Sequence, residues 1–534
     1  MKLKLLGLLM LCFLATQAQK PKAEKPKLVV GIVVDQMRYD YLYRFYSKYT
    51  AGGLKRLMTE GYNCRNNQYH YASTVTGPGH AHIFNGSSPA ISGIVGNEWY
   101  DKTIGKTTYV VSDSTANVVG LGSATAGKMS PRNMKVSSIT DQLRIASQFQ
   151  SKVIGVAIKD RGAILPAGHT GQAYWYDAGS ANWITSDFYL KQLPAWVNSF
   201  NDKKIAQELV SKPWETMMPL DKYTETEEDD QPYEATMSGE PKAVFPHKVT
   251  LGGIATSPYG NDLTLKFGLA AIDGENLGMG QQTDFLTLSF SSPDYVGHSF
   301  GAQSKEIEDV YLKLDKNIAE LLSHLDKKLG IGNYTVFLSA DHGVAEIPAF
   351  LKKHNVPSGL FLGGELEKKA EAALGAKFGE GKYILSADNY QMYLNMDLLN
   401  QKSISVDQVT QTLKTEFLKT EGIYNVINLS EGKANDVPQV FRDKLTNIYN
   451  PKRSGEVMVL VEPGWFAGYV KGTTHGTMYP YDTHVPLLFY GWGINKGENL
   501  NITHISDIAP TIAMLLKILE PNGSIGSPIT SALK

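Results

Sequence analysis

Short apolar runs alternate with longer amphipathic stretches along most of the chain. Leu28 to Val34 reads LVVGIVV, almost wholly apolar and β-branched, which predicts a strand buried on both faces of a parallel sheet. Lys152 to Ile158, Phe285 to Phe290 and Tyr334 to Ser339 are further short runs rich in Val, Ile, Leu and Phe. Between the last two, Ile307, Leu314, Ile318, Leu321, Leu322 and Leu325 recur at helical spacing, so Lys305 to Lys328 reads as an amphipathic helix. Ser304 supplies its N-cap and Gly330 its stop. Strand, helix, strand in this order predicts a right-handed crossover and an α/β fold with a central, mostly parallel sheet flanked by helices. Helices are also expected over Gly53 to Glu60, Thr76 to Asn85 and Ile505 to Leu519, and later strands at Val457 to Val461 and Pro486 to Tyr490.

Two stretches break this rhythm. Residues 166–262, rich in Trp, Tyr, Pro and Gly, read as an inserted cap. Residues 345–454, which mix helix with a strand at Tyr383 to Leu394, read as a second insertion. The α/β core is then 28–165, 263–344 and 455–534. A length of 534 residues fits one large domain with insertions better than one minimal core.

The N-terminus changes the picture of location. Lys2 and Lys4, the apolar run Leu5 to Ala15 and the small residues at Thr16-Gln17-Ala18 form a signal-peptide pattern over 1–18. Residues 19–27 follow as a flexible leader. Export, to a periplasm, is therefore expected, with Cys12 leaving a lipoprotein reading open. No stretch predicts a membrane span. Removal of the signal leaves Cys64 as a single thiol, expected to be buried and inert. A net charge of -1 gives no footprint for nucleic acid. The acidic run Glu225 to Asp230 reads as a solvated loop, and nothing demands an oligomer, so a monomer is expected.

Candidate chemistry lies in where Asp and His fall. Asp35 follows the first apolar run, and Asp294 follows Phe285 to Phe290 with His298 four residues on. Asp341 and His342 follow Tyr334 to Ser339, and His475 lies in Gly472-Thr473-Thr474-His475-Gly476. Most of these stand at or close behind the carboxyl ends of expected parallel strands, the rim on which open α/β sheets build sites. One Asp there is usually a helix N-cap and one His a structural residue; six together point to metal. Zinc takes imidazole nitrogen and carboxylate oxygen and keeps a position open in catalytic sites, so three Asp and three His suffice for two such sites. Thr76 stands at an expected helix start, where amide N–H groups favour negative charge.

Five segments carry a resemblance. Val33-Val34-Asp35-Gln36-Met37-Arg38, Thr74-Val75-Thr76-Gly77-Pro78-Gly79-His80, Asp294-Tyr295-Val296-Gly297-His298, Ser339-Ala340-Asp341-His342-Gly343 and Thr474-His475-Gly476 resemble, in order, the metal and nucleophile motifs of the alkaline phosphatase superfamily. The downstream Tyr481-Asp482-Thr483-His484-Val485-Pro486 fits its C-terminal signature. The resemblance implies an alkaline phosphatase-like sandwich. It also implies that Asp294, His298 and His475 hold one zinc, while Asp35, Asp341 and His342 hold the other together with the Thr76 oxygen. Thr76 would then displace the leaving group in line, giving a phosphothreonine that water hydrolyses, across two metals about 4 Å apart.

Asn97, Lys159 and Arg161 separate the branches. The chain resembles the threonine-nucleophile, phosphate-irrepressible bacterial alkaline phosphatases, in which matching Asn, Lys and Arg residues bind phosphoryl oxygens. The similar diesterases lack the Lys–Arg pair. Charge agrees: two zincs against three Asp and an alkoxide leave zero, and Lys159 and Arg161 add two positive charges, which suits a dianionic monoester over a monoanionic diester. The chain has no serine nucleophile between Asp and Ala, no visible third metal position, and no C/S-x-P-x-R for a sulfatase. His80 and His82 read as structural. The expected function is hydrolysis of small phosphorylated metabolites. The alternatives are a nucleotide pyrophosphatase or phosphodiesterase, in which Lys159 and Arg161 point away, and a zinc-dependent binder of phosphate esters that does not turn them over.

Overall fold

The computed structural model describes residues 24–431 and 437–534. The expected signal peptide, Cys12 and most of the leader lie outside the described residues. Ten strands form the main sheet, in the order Gly497–His504, Tyr62–Gln68, Leu487–Gly491, Tyr334–Ser339, Leu28–Val34, Asp284–Phe290, Val153–Ala157, Gln172–Asp177, Asn182–Ser186 and Val118–Val119. The five strands from Tyr334–Ser339 across to Gln172–Asp177 pair in parallel. Leu487–Gly491 on one side and Asn182–Ser186 on the other run antiparallel to this block.

The apolar runs form this block because both of its faces are covered. All seven residues of Leu28–Val34 are buried, as are those of Asp284–Phe290. Val33 is aligned with Ser289 on one side and Ser339 on the other, so the chain leaves three adjacent strands at one edge. The helix Lys305–Leu329 packs its apolar stripe inward; Ser304 Oγ accepts from the Ile307 N–H at 3.1 Å, and Gly330 ends it at φ 87. The helix Thr76–Asn85 is buried at every position. Gly79 is required there, since a Cβ would lie 2.2 Å from the Asp341 carbonyl oxygen.

The insertions differ from the sequence reading. Gln172–Asp177 and Asn182–Ser186 lie inside the expected cap, yet they belong to the main sheet. Their aromatic residues are core: Trp183 stacks on Phe267 at 4.1 Å, and Tyr174 is fully buried. Trp and Tyr fit a pleated, covered surface as well as they fit a cap. The second insertion extends further than expected. Val457–Val461, assigned to the core, pairs antiparallel with Ile423–Asn428 and Gln391–Leu394 in a separate four-stranded sheet. The single strand expected at Tyr383 to Leu394 is a hairpin, Ile384–Asp388 and Gln391–Leu394, turning at Asn389 (φ 49) and Tyr390 (φ 63). The last helix, Ile508–Leu516, ends early because Lys517 adopts a left-handed conformation at φ 54. Cys64 is buried and unpaired, and burial pushes its thiol up to about 12.

Candidate active site

The edge at which the parallel strands end gathers the six Asp and His residues. Asp35 leaves Leu28–Val34, its N–H bonded to the Phe290 carbonyl at 3.0 Å. Asp294 lies in the first turn of the helix Ser292–Phe300, and His298 follows one turn later on the same face. Asp341 and His342 continue from Tyr334–Ser339. His475 arrives on a loop that Asp482 orders by accepting from the N–H groups of Gly476 (3.1 Å) and Thr477 (2.7 Å). Asp294, His298 and His475 form one group, and Asp35, Asp341 and His342 a second; within each, the ligand atoms lie within 4.8 Å of one another. The His342 and His475 rings stack at 3.5 Å, which sets the two groups side by side.

All three imidazoles are aimed by backbone. His298, His342 and His475 place Nδ1 at 2.8, 2.9 and 2.8 Å from the carbonyl oxygens of Thr473, Gly343 and Thr74. A carbonyl only accepts, so Nδ1 carries the hydrogen and Nε2 offers its lone pair to the group. Burial lowers His342 to about 3, with His475 adding to the effect, so it is neutral at ordinary pH. Asp35 Oδ1 is buried without a hydrogen bond, while Asp35 Oδ2 meets the Lys159 ammonium at 2.7 Å and Asp341 Oδ2 meets His80 Nδ1 at 3.2 Å. Buried carboxylate oxygens of this kind need a cation. Carboxylate oxygen and imidazole nitrogen in threes are a donor set that suits zinc.

Thr76 begins its helix beside these groups. Its Oγ1 lies 3.5 Å from His342 Nε2. Asn97 sits next to it and accepts the Gly77 N–H through Oδ1 at 2.7 Å. Lys159 follows Val153–Ala157 and sends a buried ammonium between the two groups, 2.5 Å from Asp294 Oδ2 and 2.7 Å from Asp35 Oδ2. Burial alone would lower its pKa, but the carboxylates of Asp294 and Asp35 hold it above the usual lysine range. Asp294 is held well below the carboxylate range: burial opposes this, and His298 and Lys159 outweigh it. Arg161 packs alongside and donates from Nη1 to Tyr109 Oη at 3.1 Å. His82 is engaged away from the groups, with Nε2 on Ser92 Oγ (2.7 Å), whereas His80 lies behind them, with Nε2 on Ser289 Oγ (2.8 Å) and Nδ1 on the Thr76 carbonyl (2.9 Å) and near Asp341 Oδ2 (3.2 Å).

Sequence reasoning passed over Gln36. Its N–H donates to Asp341 Oδ1 at 3.1 Å and its Nε2 to Asp294 Oδ1 at 2.7 Å, so one residue ties the two groups together. It does so from a left-handed conformation, φ 67. Gly297 makes room for it, because a Cβ there would lie 1.8 Å from Gln36 Oε1. The only signal in the sequence was its place directly after Asp35.

The chain matches the family described as type I phosphodiesterase / nucleotide pyrophosphatase over residues 29–485. It is 46% identical to an alkaline phosphatase, PafA, of Elizabethkingia meningoseptica, over 97% of this chain and 96% of that one. It is also 46% identical to a protein of Myroides odoratus named a calcium-transporting ATPase, over 96% of each. Identity to the alkaline phosphatase PhoV of Synechococcus elongatus is 42% over 100% of both chains. A crystal structure of wild-type PafA superposes with a TM-score of 0.93 at 45% identity, covering 96% of this chain and 99% of that one. A second PafA structure, in which a threonine, an asparagine, a lysine and an arginine are replaced, also gives 0.93 at 44% identity, with the same coverage.

Proposed function

The chain belongs to the type I phosphodiesterase and nucleotide pyrophosphatase family, within the alkaline phosphatase superfamily, and from that premise we propose that it cleaves phosphate monoesters through a covalent phosphothreonine at Thr76. Its relatives at up to 46% identity over nearly the whole chain make it an alkaline phosphatase; route, metal and location are the proposal. The observation that carries it is the Thr76 hydroxyl at a buried helix start, 3.5 Å from His342 Nε2, beside the two Asp/His groups and the buried Lys159 ammonium.

Asp294, His298 and His475 would hold one zinc, and Asp35, Asp341 and His342 the other. The zinc ions, when bound, supply the positive charge that makes the threonine hydroxyl acidic and the leaving oxygen stable. Thr76 Oγ1 gives up its proton to solvent and bonds to phosphorus as the bond to the leaving alcohol breaks. The leaving oxygen takes up a proton from solvent; water then bonds to phosphorus as it loses a proton, and Oγ1 leaves and is reprotonated. Asn97 stays beside the attacking oxygen through its bond to Gly77. Lys159 and Arg161 face the phosphoryl oxygens with two positive charges, a match for a dianion. The relative solved with Thr, Asn, Lys and Arg replaced has those four in the same order and spacing as Thr76, Asn97, Lys159 and Arg161, which supports their acting together.

The family description favours a second reading, hydrolysis of phosphodiesters or pyrophosphates on the same scaffold. The inward position of Lys159 supports the monoester. We place the enzyme outside the cytoplasm, on the signal pattern of residues 1–18; among the described residues, no helix is long and apolar enough to cross a membrane. Acid quenching during turnover of an aryl phosphate is expected to leave phosphate on the peptide containing Thr76. Phosphate on another residue, or on none while turnover proceeds, would overturn the route.

A further inference from the structure

A cavity of about 450 Å³ opens beside the centre. On the centre's side it is lined by Asn97, His298 and His475. It therefore touches the Asp294 group and none of Asp35, Asp341 and His342. With Thr76 as nucleophile and the Asp294 group on the leaving-group side, this cavity is where the leaving alcohol would lie, although Val75 and Asn97, beside Thr76, line it too. The opposite wall comes from the second insertion, through the start of the helix Glu365–Phe378 and the turn at Asn389 and Tyr390.

The chemistry of that wall is one-sided. Phe361, Leu366, Tyr390 and Met392 make it apolar, while Glu365, Glu367 and Asp388 supply three carboxylates. Among the described residues that line the cavity there is no lysine or arginine. Glu367 has a weak partner outside, Lys382 Nζ at 3.3 Å. Among the described residues no lysine or arginine pairs with Asp388: its bonds are from Asn389, with Nδ2 on Oδ2 at 2.7 Å, and its neighbouring charge is Glu98, another carboxylate. Burial, with Glu98 adding, raises Asp388 to about 7, so its negative charge is present on the alkaline side of neutrality. The turn also departs from the cheapest choice. Two successive left-handed positions favour Asn-Gly, yet the second is Tyr390, whose hydroxyl accepts the Ala467 N–H at 3.1 Å and whose ring is held against the cavity.

We propose that this cavity selects phosphate monoesters whose leaving alcohol carries an ammonium group on a short apolar stem, with Asp388, Glu365 and Glu367 as the specificity-determining residues. The inference rests on the reading of the chain as a phosphomonoesterase. Carboxylates in a confined, partly apolar space attract a cation and repel an anion; no lysine or arginine lines the cavity, and Lys382 offsets Glu367 only from outside. An anionic leaving group, such as a nucleoside diphosphate, is the disfavoured extreme.

Three alkyl phosphates of similar size test it: O-phosphoethanolamine, ethyl phosphate and phosphoglycolate, whose leaving alcohols are cationic, neutral and anionic. The measured quantity is kcat/KM for each, in wild type, in Asp388→Asn and in Glu365→Gln/Glu367→Gln. Intrinsic leaving-group reactivity cancels when variant and wild type are compared. The ratio of phosphoethanolamine to phosphoglycolate is expected to fall about tenfold in the variants, with ethyl phosphate changed less than about twofold. An unchanged inhibition constant for inorganic phosphate reports that the centre is intact. A ratio that does not move in either variant overturns the assignment while leaving the phosphatase standing. Wild-type protein that turns over none of the three overturns both.

Discussion

The two walls of the catalytic groove are built differently. Asp35, Asp341 and His342 continue from strands buried along their whole length, Asp294 and His298 stand on the helix that follows a third such strand, and each imidazole is fixed by a backbone carbonyl. The opposing wall stands on a hairpin turn and a helix start, both partly exposed and both in the second insertion. A wall held by the main core can keep reacting atoms in place to within a fraction of an ångström, which bond-making requires. A wall on a separate sheet can change its side chains without disturbing the chemistry. The chemistry is therefore assigned to one wall and the choice of leaving group to the other.

Substitutions on the core wall sharpen that contrast most. Thr76→Ala is expected to lower kcat by about four orders of magnitude while zinc content stays at the wild-type value. Near-wild-type turnover would remove Thr76 as nucleophile. Arg161→Ala is expected to lower kcat/KM for a monoester about a hundredfold and for a diester far less, because it removes charge matched to the dianion. Equal losses would break the charge argument.

Asp141 offers a third contrast, stability without chemistry. It caps the helix Ile139–Ala146 together with Ser138, and it holds His169 and Thr170 just past the helix that carries Arg161. Burial works against its charge, but bonds from His169, Ser138 and Thr170 hold it below the usual carboxylate range. A depressed carboxyl contributes stability that is present above the unfolded value, about 3.9, and is lost as pH falls through the folded value. Asp141→Asn is expected to cost about 2 kcal/mol at pH 7 and less near pH 3, with kcat unchanged. Urea titrations at the two pH values check this; an equal loss at both would reject it. On the other wall, Tyr390→Gly relieves the left-handed turn. Turn relief offsets only part of the lost packing and of the lost bond to Ala467, so stability is expected to fall by about 2 kcal/mol, with turnover of ethyl phosphate changed by less than about threefold. A larger loss of turnover would break the division between the walls.

What the sequence disclosed follows the same division. Leu28–Val34 and Tyr334–Ser339 were legible to the residue because strands covered on both faces leave an unbroken apolar run. Asp35, Asp294, Asp341 and His342 stood out because they follow such strands, whereas His475 and the division into two groups came from the family resemblance. Gln36 was not legible, since its role depends on a left-handed backbone and on the missing Cβ of Gly297, neither of which leaves a pattern in one sequence. The insertion boundaries were misjudged where the signal was composition alone. The aromatic run from Tyr174 to Trp183, within the stretch read as a cap, fitted core and substrate wall equally and is core, and Val457–Val461 has the apolar look of a core strand because it is central in its own small sheet. The cavity wall was invisible, because Glu365 and Asp388 meet only through the fold.

The most direct test of the central claim is kcat/KM for one aryl phosphate monoester against the matching aryl alkyl diester, with zinc-loaded protein. A large preference for the monoester is expected, with Lys159 and Arg161 serving the phosphoryl group. A preference for the diester would contradict it, leaving the fold and Thr76 in place but making the enzyme a phosphodiesterase.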